Sequence, residues 1–334
     1  MTTPTPQLTT MPAPTSRAAR FRQQHGWVVG VAVLLAAMIL VRYLQVERFG
    51  GFELRALTAG TLMLALLAMA QGVVVLSGGI NLAVGALMVL ANCFSAWLME
   101  DASVATCLVI ALATVVGTAV VSGLMGWLVT VSGMPDIVVT LALHFVFVGV
   151  ALLILGGPGG GTNPDFSRMV VGGYSDPLPS LLWLVAVFLL VWVPFRRSRA
   201  GIATYAVGSD RQAAFLAGIV VARARVQAYV LSGVFAGLAG IATTASLGSG
   251  SPQESIALGA LLGSVAAVVL GGVALAGGRG GLLGPVLAAF VLTLIPAILL
   301  SAGANPNVAV LLEGLIIIGV VMLGGLLELR RRKQ

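Results

Sequence analysis

RRSRAGIATYAVGSDRQAAFLAGIVVARAR, residues 196–225, is a cationic island in an otherwise apolar sequence. Six of the eighteen Lys and Arg residues of the chain lie in it, and apolar runs flank it on both sides. Runs of about twenty apolar residues cross a bilayer as helices, and the loops that join such helices on the cytoplasmic side are enriched in Lys and Arg. The stretch therefore predicts a cytoplasmic loop of a polytopic membrane protein.

The overall composition indicates the same class. Hydrophobic residues make up 59% of the chain, charged residues only 9%, and the mean hydropathy is +1.07, whereas soluble domains carry roughly 25% charged residues. The net charge of +7 does not indicate a nucleic-acid partner, because the cations lie between apolar runs rather than on one soluble face. We therefore predict an all-α polytopic integral membrane protein.

The apolar runs predict about ten transmembrane helices, with nine to eleven as the range. The two glycines at 78 and 79 either separate two spans or break one helix.

Before the first span, residues 1–26 are Thr- and Pro-rich and predict a disordered cytoplasmic tail. The first apolar run resembles a signal-peptide core, but no cleavage site is evident and we expect the run to be retained. The domains are then 1–26, a single transmembrane domain at 27–327, and a basic cytoplasmic tail at 328–334. The predicted spans are 27–41, 57–76, 79–99, 104–132, 136–156, 178–195, 226–247, 256–276, 281–301 and 307–327.

The distribution of charge tests this topology. With the N-terminus inside, fourteen cations lie on the cytoplasmic side and four on the outer side. Because cytoplasmic loops carry the excess of Lys and Arg, the pattern favours both termini in the cytoplasm and an even number of spans.

The residue inventory excludes several chemistries. The only lysine is Lys333, so the chain has no phosphate-loop lysine and is not its own ATPase. The glycine clusters at 156–161 and 277–281 lack nucleotide-loop spacing and predict turns. Cys93 and Cys107 fall in apolar runs and predict buried small side chains. We expect no catalytic residue, no metal site and no cofactor bound by this chain.

A polar stripe interrupts the fifth predicted span. Asp136, Thr140 and His144 recur every four residues and so share one helix face. Two explanations stay open: hydrogen bonds between helices within the bundle, or the lining of a pathway for a neutral polar solute. Acids within the spans are scarce, which disfavours an ion-coupled secondary transporter. The candidate pathway residues are Asn81, Asn92, Thr140, His144 and Ser232.

Five motifs in order between residues 55 and 327 resemble those of one transporter family. They are SGGINLAVG at 77–85, PDIVVTL at 135–141, YAVG at 205–208 with its continuation to 219, YVLSG at 229–233 and AAVVLGG at 266–272. Together they are similar to the permease subunits of ribose-type sugar ATP-binding-cassette (ABC) importers. Asn81 stands where the family usually has Asp, Ala83 where it usually has Ser, and Asp210 where it has Asn. Residue 81 therefore carries no charge in this chain.

The resemblance implies a transmembrane permease subunit of the bacterial inner membrane that carries a sugar or related polyol by alternating access. The implied partners are cytoplasmic ABC ATPase subunits, which use the ATP, a periplasmic or lipid-anchored substrate-binding protein, and a second permease copy or a paralogue. Branched-chain amino acids or nucleosides are the alternative solutes within the same mechanism. A membrane-embedded enzyme is disfavoured, because no nucleophile, base and orienting group come together in the sequence.

In that family the ATPases push on a short helix, and residues 196–225 contain a candidate for it. Ser209 and Gln212 have capping-box spacing, and Gly218 is a natural stop, which predicts a helix over about 210–217. We expect a smooth alanine face at positions 213, 214 and 217 for close approach of a partner, with a large apolar side chain filling a pocket. The predicted coupling residues are Ser209, Asp210, Arg211, Gln212, Ala213, Ala214, Phe215, Leu216 and Gly218, of which Phe215 and Leu216 are the anchors and Arg211 a rim charge.

Overall fold

The computed structural model describes residues 17–46 and 50–303 and a few single positions from 305 to 322, with side chains described from Trp27 onward. These residues form helices and connecting turns, and one isolated β-bridge joins Gly159 and Gly250. A π-helical turn at Phe188–Trp192 continues α7 into α8. The helices are α1 Arg17–Gln45, α2 Gly51–Leu76, α3 Val84–Met99, α4 Val104–Ser132, α5 Asp136–Ile154, α6 Pro164–Val171, α7 Leu178–Val187, α8 Val193–Arg197, α9 Arg199–Ser209, α10 Arg211–Leu216, α11 Val221–Leu247, α12 Glu254–Leu270 and α13 Leu283–Ser301.

Nine of the ten predicted spans have a counterpart among the described residues. Seven helical segments are long and apolar enough to cross a membrane, and two shorter apolar helices, α3 and α12, match the third and eighth predicted spans. α1 begins at Arg17, earlier than the predicted span. The tenth predicted span, residues 1–16 of the predicted tail and the whole basic tail at 328–334 lie outside the continuous described ranges. The helical class is confirmed, whereas the span count and the orientation of the termini stay predictions.

α2 and α11 form the centre of the bundle. In their span windows 83% and 72% of the residues are buried, compared with 17% for α4 and 6% for α1. Helices that share a lipid solvent associate through close packing of small residues rather than through the hydrophobic effect. α11 supplies such residues in Gly233, Gly237 and Gly240. A Cβ at these positions would lie 2.4 Å from the Thr118 carbonyl oxygen, 2.2 Å from the Thr118 hydroxyl and 2.4 Å from the Ala91 Cβ.

The bundle has two distinct ends, which we name by one arginine each. At the Arg42 end, Arg42 of α1 binds Glu53 of α2 at 2.8 Å. At the Arg211 end, a guanidinium nitrogen of Arg211 donates to the Gly78 carbonyl, which follows α2, at 3.0 Å. α2 therefore runs from the first end to the second.

α2 and α12 end with the same type of backbone turn, and the turn after α2 shows that the glycines at 78 and 79 separate two helices. Gly78 and Gly272 both have φ +78°, a left-handed conformation that side chains other than glycine adopt at a cost. Gly79 N–H bonds the Val74 carbonyl at 3.1 Å and Val273 N–H bonds the Val268 carbonyl at 3.2 Å, so both are Schellman endings. Two separate helices, α2 and α3, thus flank residues 77–83.

Candidate functional site

The cationic island folds as two short helices, α9 and α10, and the first turns of α11. Asp210, not Ser209, caps α10: its carboxylate accepts from the N–H groups of Gln212 and Ala213 at 2.8 and 3.0 Å. The predicted capping box is therefore wrong, since the cap lies one residue later and the third helical position is Ala213 rather than Gln212. Ser209 ends α9 instead, where its hydroxyl donates back to the Tyr205 carbonyl at 2.9 Å. The predicted stop is correct, since Gly218 has φ +81° directly after the helix.

α10 presents large apolar side chains to the outside of the chain. Phe215 is 68% exposed and Leu216 is 78% exposed. The predicted alanine face is only partly present, because Ala214 is buried against Val207 and Ala224 and holds α10 onto the bundle. Exposed anchors on a helix fixed from behind are suited to enter a groove of another protein.

Residues 205–211, at the end of α9 and the start of α10, touch the turns that follow both α2 and α12. Ser209 Oγ lies 3.4 Å from the Gly278 carbonyl, in the loop after α12, and Arg211 reaches Gly78 in the turn after α2 as described above. Tyr205 donates its hydroxyl to the Gly280 carbonyl at 2.9 Å. Burial raises the pKa of Tyr205 above 10.0 against the opposing effect of Arg196, so the phenol stays protonated and keeps this bond. A movement of α10 is thus coupled directly to two helix ends.

Four of the five candidate pathway residues meet in one buried hydrogen-bond network around residues 81–82. The Asn81 amide donates to the Ser232 hydroxyl at 3.3 Å. An ionised Asp, which ribose-type permeases usually have at this position, could not donate this bond. Thr140 accepts from the Leu82 N–H at 3.0 Å, and His144 Nδ1 lies 3.1 Å from the Leu82 carbonyl. All four side chains are fully buried.

Asn92, the fifth candidate, lies apart from that network. Its amide nitrogen donates to the Thr244 hydroxyl at 2.9 Å and to the Ser249 carbonyl at 3.1 Å, and its oxygen accepts from the Ser251 N–H at 2.9 Å. Asn92 thereby holds the non-helical segment 248–253 against the middle of α3. In the single chain, all five candidates bond to protein groups, and their role in a solute pathway stays a prediction.

Two functional contacts escaped the sequence interpretation. Asp136 binds the guanidinium of Arg225 and accepts from the Tyr229 hydroxyl at 3.3 Å, although the sequence placed Asp136 only in the polar stripe of the fifth span and Arg225 in the cationic loop. Glu254, outside the predicted eighth span, accepts from or donates to His144 Nε2 at 2.8 Å according to protonation. A signal for the second contact was present, since Glu254 is the only acid between Asp210 and Glu313.

The site contains no cluster with the composition of a metal centre. Among the residues that the structure describes, no three His, Cys, Asp or Glu side chains come together in a way that could hold a metal ion. The buried polar side chains of the described residues are mostly neutral donors and acceptors.

A helical bundle with buried polar networks and helices that begin within it is typical of membrane transport proteins. Residues 53–321 match the family described as "Branched-chain amino acid transport system / permease component". The chain belongs to this family, and it is a multi-pass protein of the cell inner membrane that acts as the permease component of an ABC importer.

Sequence alignments with related permeases cover most of the chain. The ribose import permease protein RbsC of Bacillus subtilis (strain 168) is 32% identical over 77% of this chain and 80% of its own length. RbsC of Escherichia coli (strain K12) is 28% identical over 89% and 94%. The autoinducer 2 import system permease protein LsrD of Photorhabdus laumondii is 29% identical over 90% and 91%. No solved structure matches the chain.

Proposed function

We propose that this chain carries a ribose-like sugar or polyol across the inner membrane by alternating access, driven by separate ATPase subunits. The observation that supports the solute most directly is the similarity to ribose import permeases along 77% and 89% of the chain. The neutral buried network around Asn81 and His144 agrees with a neutral, hydroxyl-rich solute, because hydroxyls pair with amide and imidazole groups.

In this proposal the Arg211 end is cytoplasmic, both termini are cytoplasmic and the chain spans the membrane about ten times. The excess of Lys and Arg around α9 and α10 supports that orientation. A substrate-binding protein then delivers the solute at the Arg42 end. A second permease, either another copy or a paralogue, completes the pathway.

α10 is the proposed coupling helix. Moving a two-state transporter from mostly one state to mostly the other requires about 5.5 kcal/mol of differential binding. Burying Phe215 and Leu216, which are 68% and 78% exposed, supplies roughly 2–4 kcal/mol. Two permeases in one complex double that contribution, and a distributed apolar contact that forms in only one of the two states then reaches the requirement.

The solute is tested by reconstituting the chain in proteoliposomes with its ATPase and binding protein and measuring uptake of labelled D-ribose. We expect uptake that requires both ATP and the binding protein. Uptake of leucine or adenosine in place of D-ribose would refute the solute class. Uptake driven by an ion gradient without the ATPase would refute the mechanism.

The docking role is tested by Phe215→Asp. A carboxylate in the apolar groove of the partner is costly to desolvate, so we expect loss of co-purifying ATPase and of uptake. Met134→Asp is the matched control, because Met134 is also an exposed apolar residue, 55% accessible, but lies outside α10. Equal ATPase recovery from the two variants would contradict the assignment of α10.

A further inference from the structure

The first turn of α12 lies part of the way along the bundle rather than at one of its two ends. Glu254 contacts His144, which is the ninth residue of the 19-residue helix α5. The preceding Ser251 is held by Asn92, the ninth residue of the 16-residue helix α3. Both partners lie well inside their helices rather than at the helix ends, and so α12 begins within the bundle, away from both of its ends.

α3 begins at a similar depth and meets α12 there. A Cβ on Gly85, in the first turn of α3, would lie 2.1 Å from the Ala257 carbonyl oxygen in the first turn of α12. Non-helical segments, residues 77–83 and 248–253, lead into the two helices. Non-helical backbone at membrane depth occurs where it is enclosed by protein or borders a water-filled cavity, and broken helices of this kind surround transport sites.

Polar side chains at this depth are accessible on the single chain. Gln253 and Ser255 are exposed, and the Glu254 side chain is 39% exposed while its partner His144 is fully buried. Polar and ionisable side chains within membrane spans face protein or water, because contact with hydrocarbon is costly. This surface therefore faces an aqueous pathway or another protein chain rather than lipid.

We propose that Glu254, with Gln253 and Ser255 beside it, lines the solute pathway between the two permeases and binds hydroxyl groups of a neutral polyhydroxylated solute. His144 is a positioning residue: its Nε2 holds Glu254 Oε1 at 2.8 Å, and its Nδ1 is anchored on Leu82. No described residue bonds the second carboxylate oxygen, which leaves that oxygen to accept from a solute hydroxyl. The proposal rests on the proposed function and locates its binding site.

Accessibility of the site is tested by thiol labelling of the assembled complex in lipid nanodiscs, where both faces are open to reagent. Ser255→Cys should react with a charged, membrane-impermeant methanethiosulfonate. Val120→Cys is the control, because Val120 is 56% exposed midway along the apolar outer face of α4 and should stay unlabelled in lipid. The native Cys93 and Cys107 are fully buried. Labelling of Ser255→Cys no faster than of Val120→Cys would overturn the proposal.

Solute contact is tested by D-ribose uptake in proteoliposomes containing the complex. Glu254→Leu should raise KM by about tenfold or more, as expected for loss of one hydrogen bond to a charged group, whereas Glu254→Gln should raise it less because an acceptor oxygen remains. Thermal unfolding of both variants reports whether they fold. An unchanged KM in a folded Glu254→Leu variant would overturn the contact. If the wild type does not take up D-ribose, the proposed solute fails, and the labelling result still decides whether this surface lines a pathway.

Discussion

Gly208 lies where three backbone segments meet beside the proposed coupling helix, and Gly208→Ala should loosen that junction. A Cβ at this position would lie 1.9 Å from the Leu76 carbonyl oxygen and 2.6 Å from the Gly278 N–H nitrogen. These two atoms are themselves hydrogen-bonded at 3.0 Å. The added methyl group therefore forces apart the ends of α2 and α9 and the loop after α12.

The size of the effect follows from these contacts. Overpacking against backbone costs about 1–3 kcal/mol, and loss of the bond between Leu76 and Gly278 costs about 0.5–1.5 kcal/mol. The higher helix propensity of Ala returns up to about 1 kcal/mol. We therefore expect Gly208→Ala to lower the free energy of unfolding by about 1–4 kcal/mol and to reduce ATP-driven uptake, because α10 is joined to the bundle through this junction.

Gly117→Ala is the matched control. Gly117 is also helical, in α4, but a Cβ there has no neighbour within 4 Å, and we expect unchanged or slightly increased stability. Both variants are compared by thermal unfolding of the purified permease, followed by tryptophan fluorescence, and by uptake in the complex. A melting temperature of Gly208→Ala equal to or above that of Gly117→Ala would refute the steric argument.

Two further substitutions probe buried polar groups. Asp136→Asn should lower the free energy of unfolding by about 3 kcal/mol, the lower end for a buried pair, because 9% of the Arg225 side chain and 13% of the Asp136 side chain remain exposed. The double variant Asp136→Asn with Arg225→Met should lose less stability than the sum of the two single variants. Additive melting-temperature shifts would argue against coupling of the two residues. Gln71→Met should raise the free energy of unfolding by about 1–3 kcal/mol. Gln71 is 1% exposed, and its amide finds no hydrogen-bond partner among the described residues. A melting temperature below that of the wild type would contradict this prediction.

Much of the fold was predictable because the bilayer imposes simple constraints on composition and length. The apolar runs located nine helices, and the glycines at 78 and 218 marked helix ends, since left-handed backbone favours glycine. Ser209 was mistaken for the cap of α10 because Ser209 and Asp210 are both good capping residues, and the choice depends on where α9 ends. The sequence also did not show that Ala214 faces inward, because the packing of α10 against Val207 and Ala224 decides which face of the helix is free.

The sequence by itself determined the class of this protein, its family and the cationic stretch that carries the proposed coupling helix, since composition and local motifs are properties of neighbouring residues. Only the tertiary structure decided that Arg225 pairs with Asp136, that Gly208 packs closely against the end of α2 and the loop after α12, and that Glu254 lies beside His144 at the depth where α3 and α12 begin. Each of these contacts joins residues more than sixty positions apart. The last of them depends on helices that begin inside the bundle, and hydropathy does not encode how deep such a helix begins.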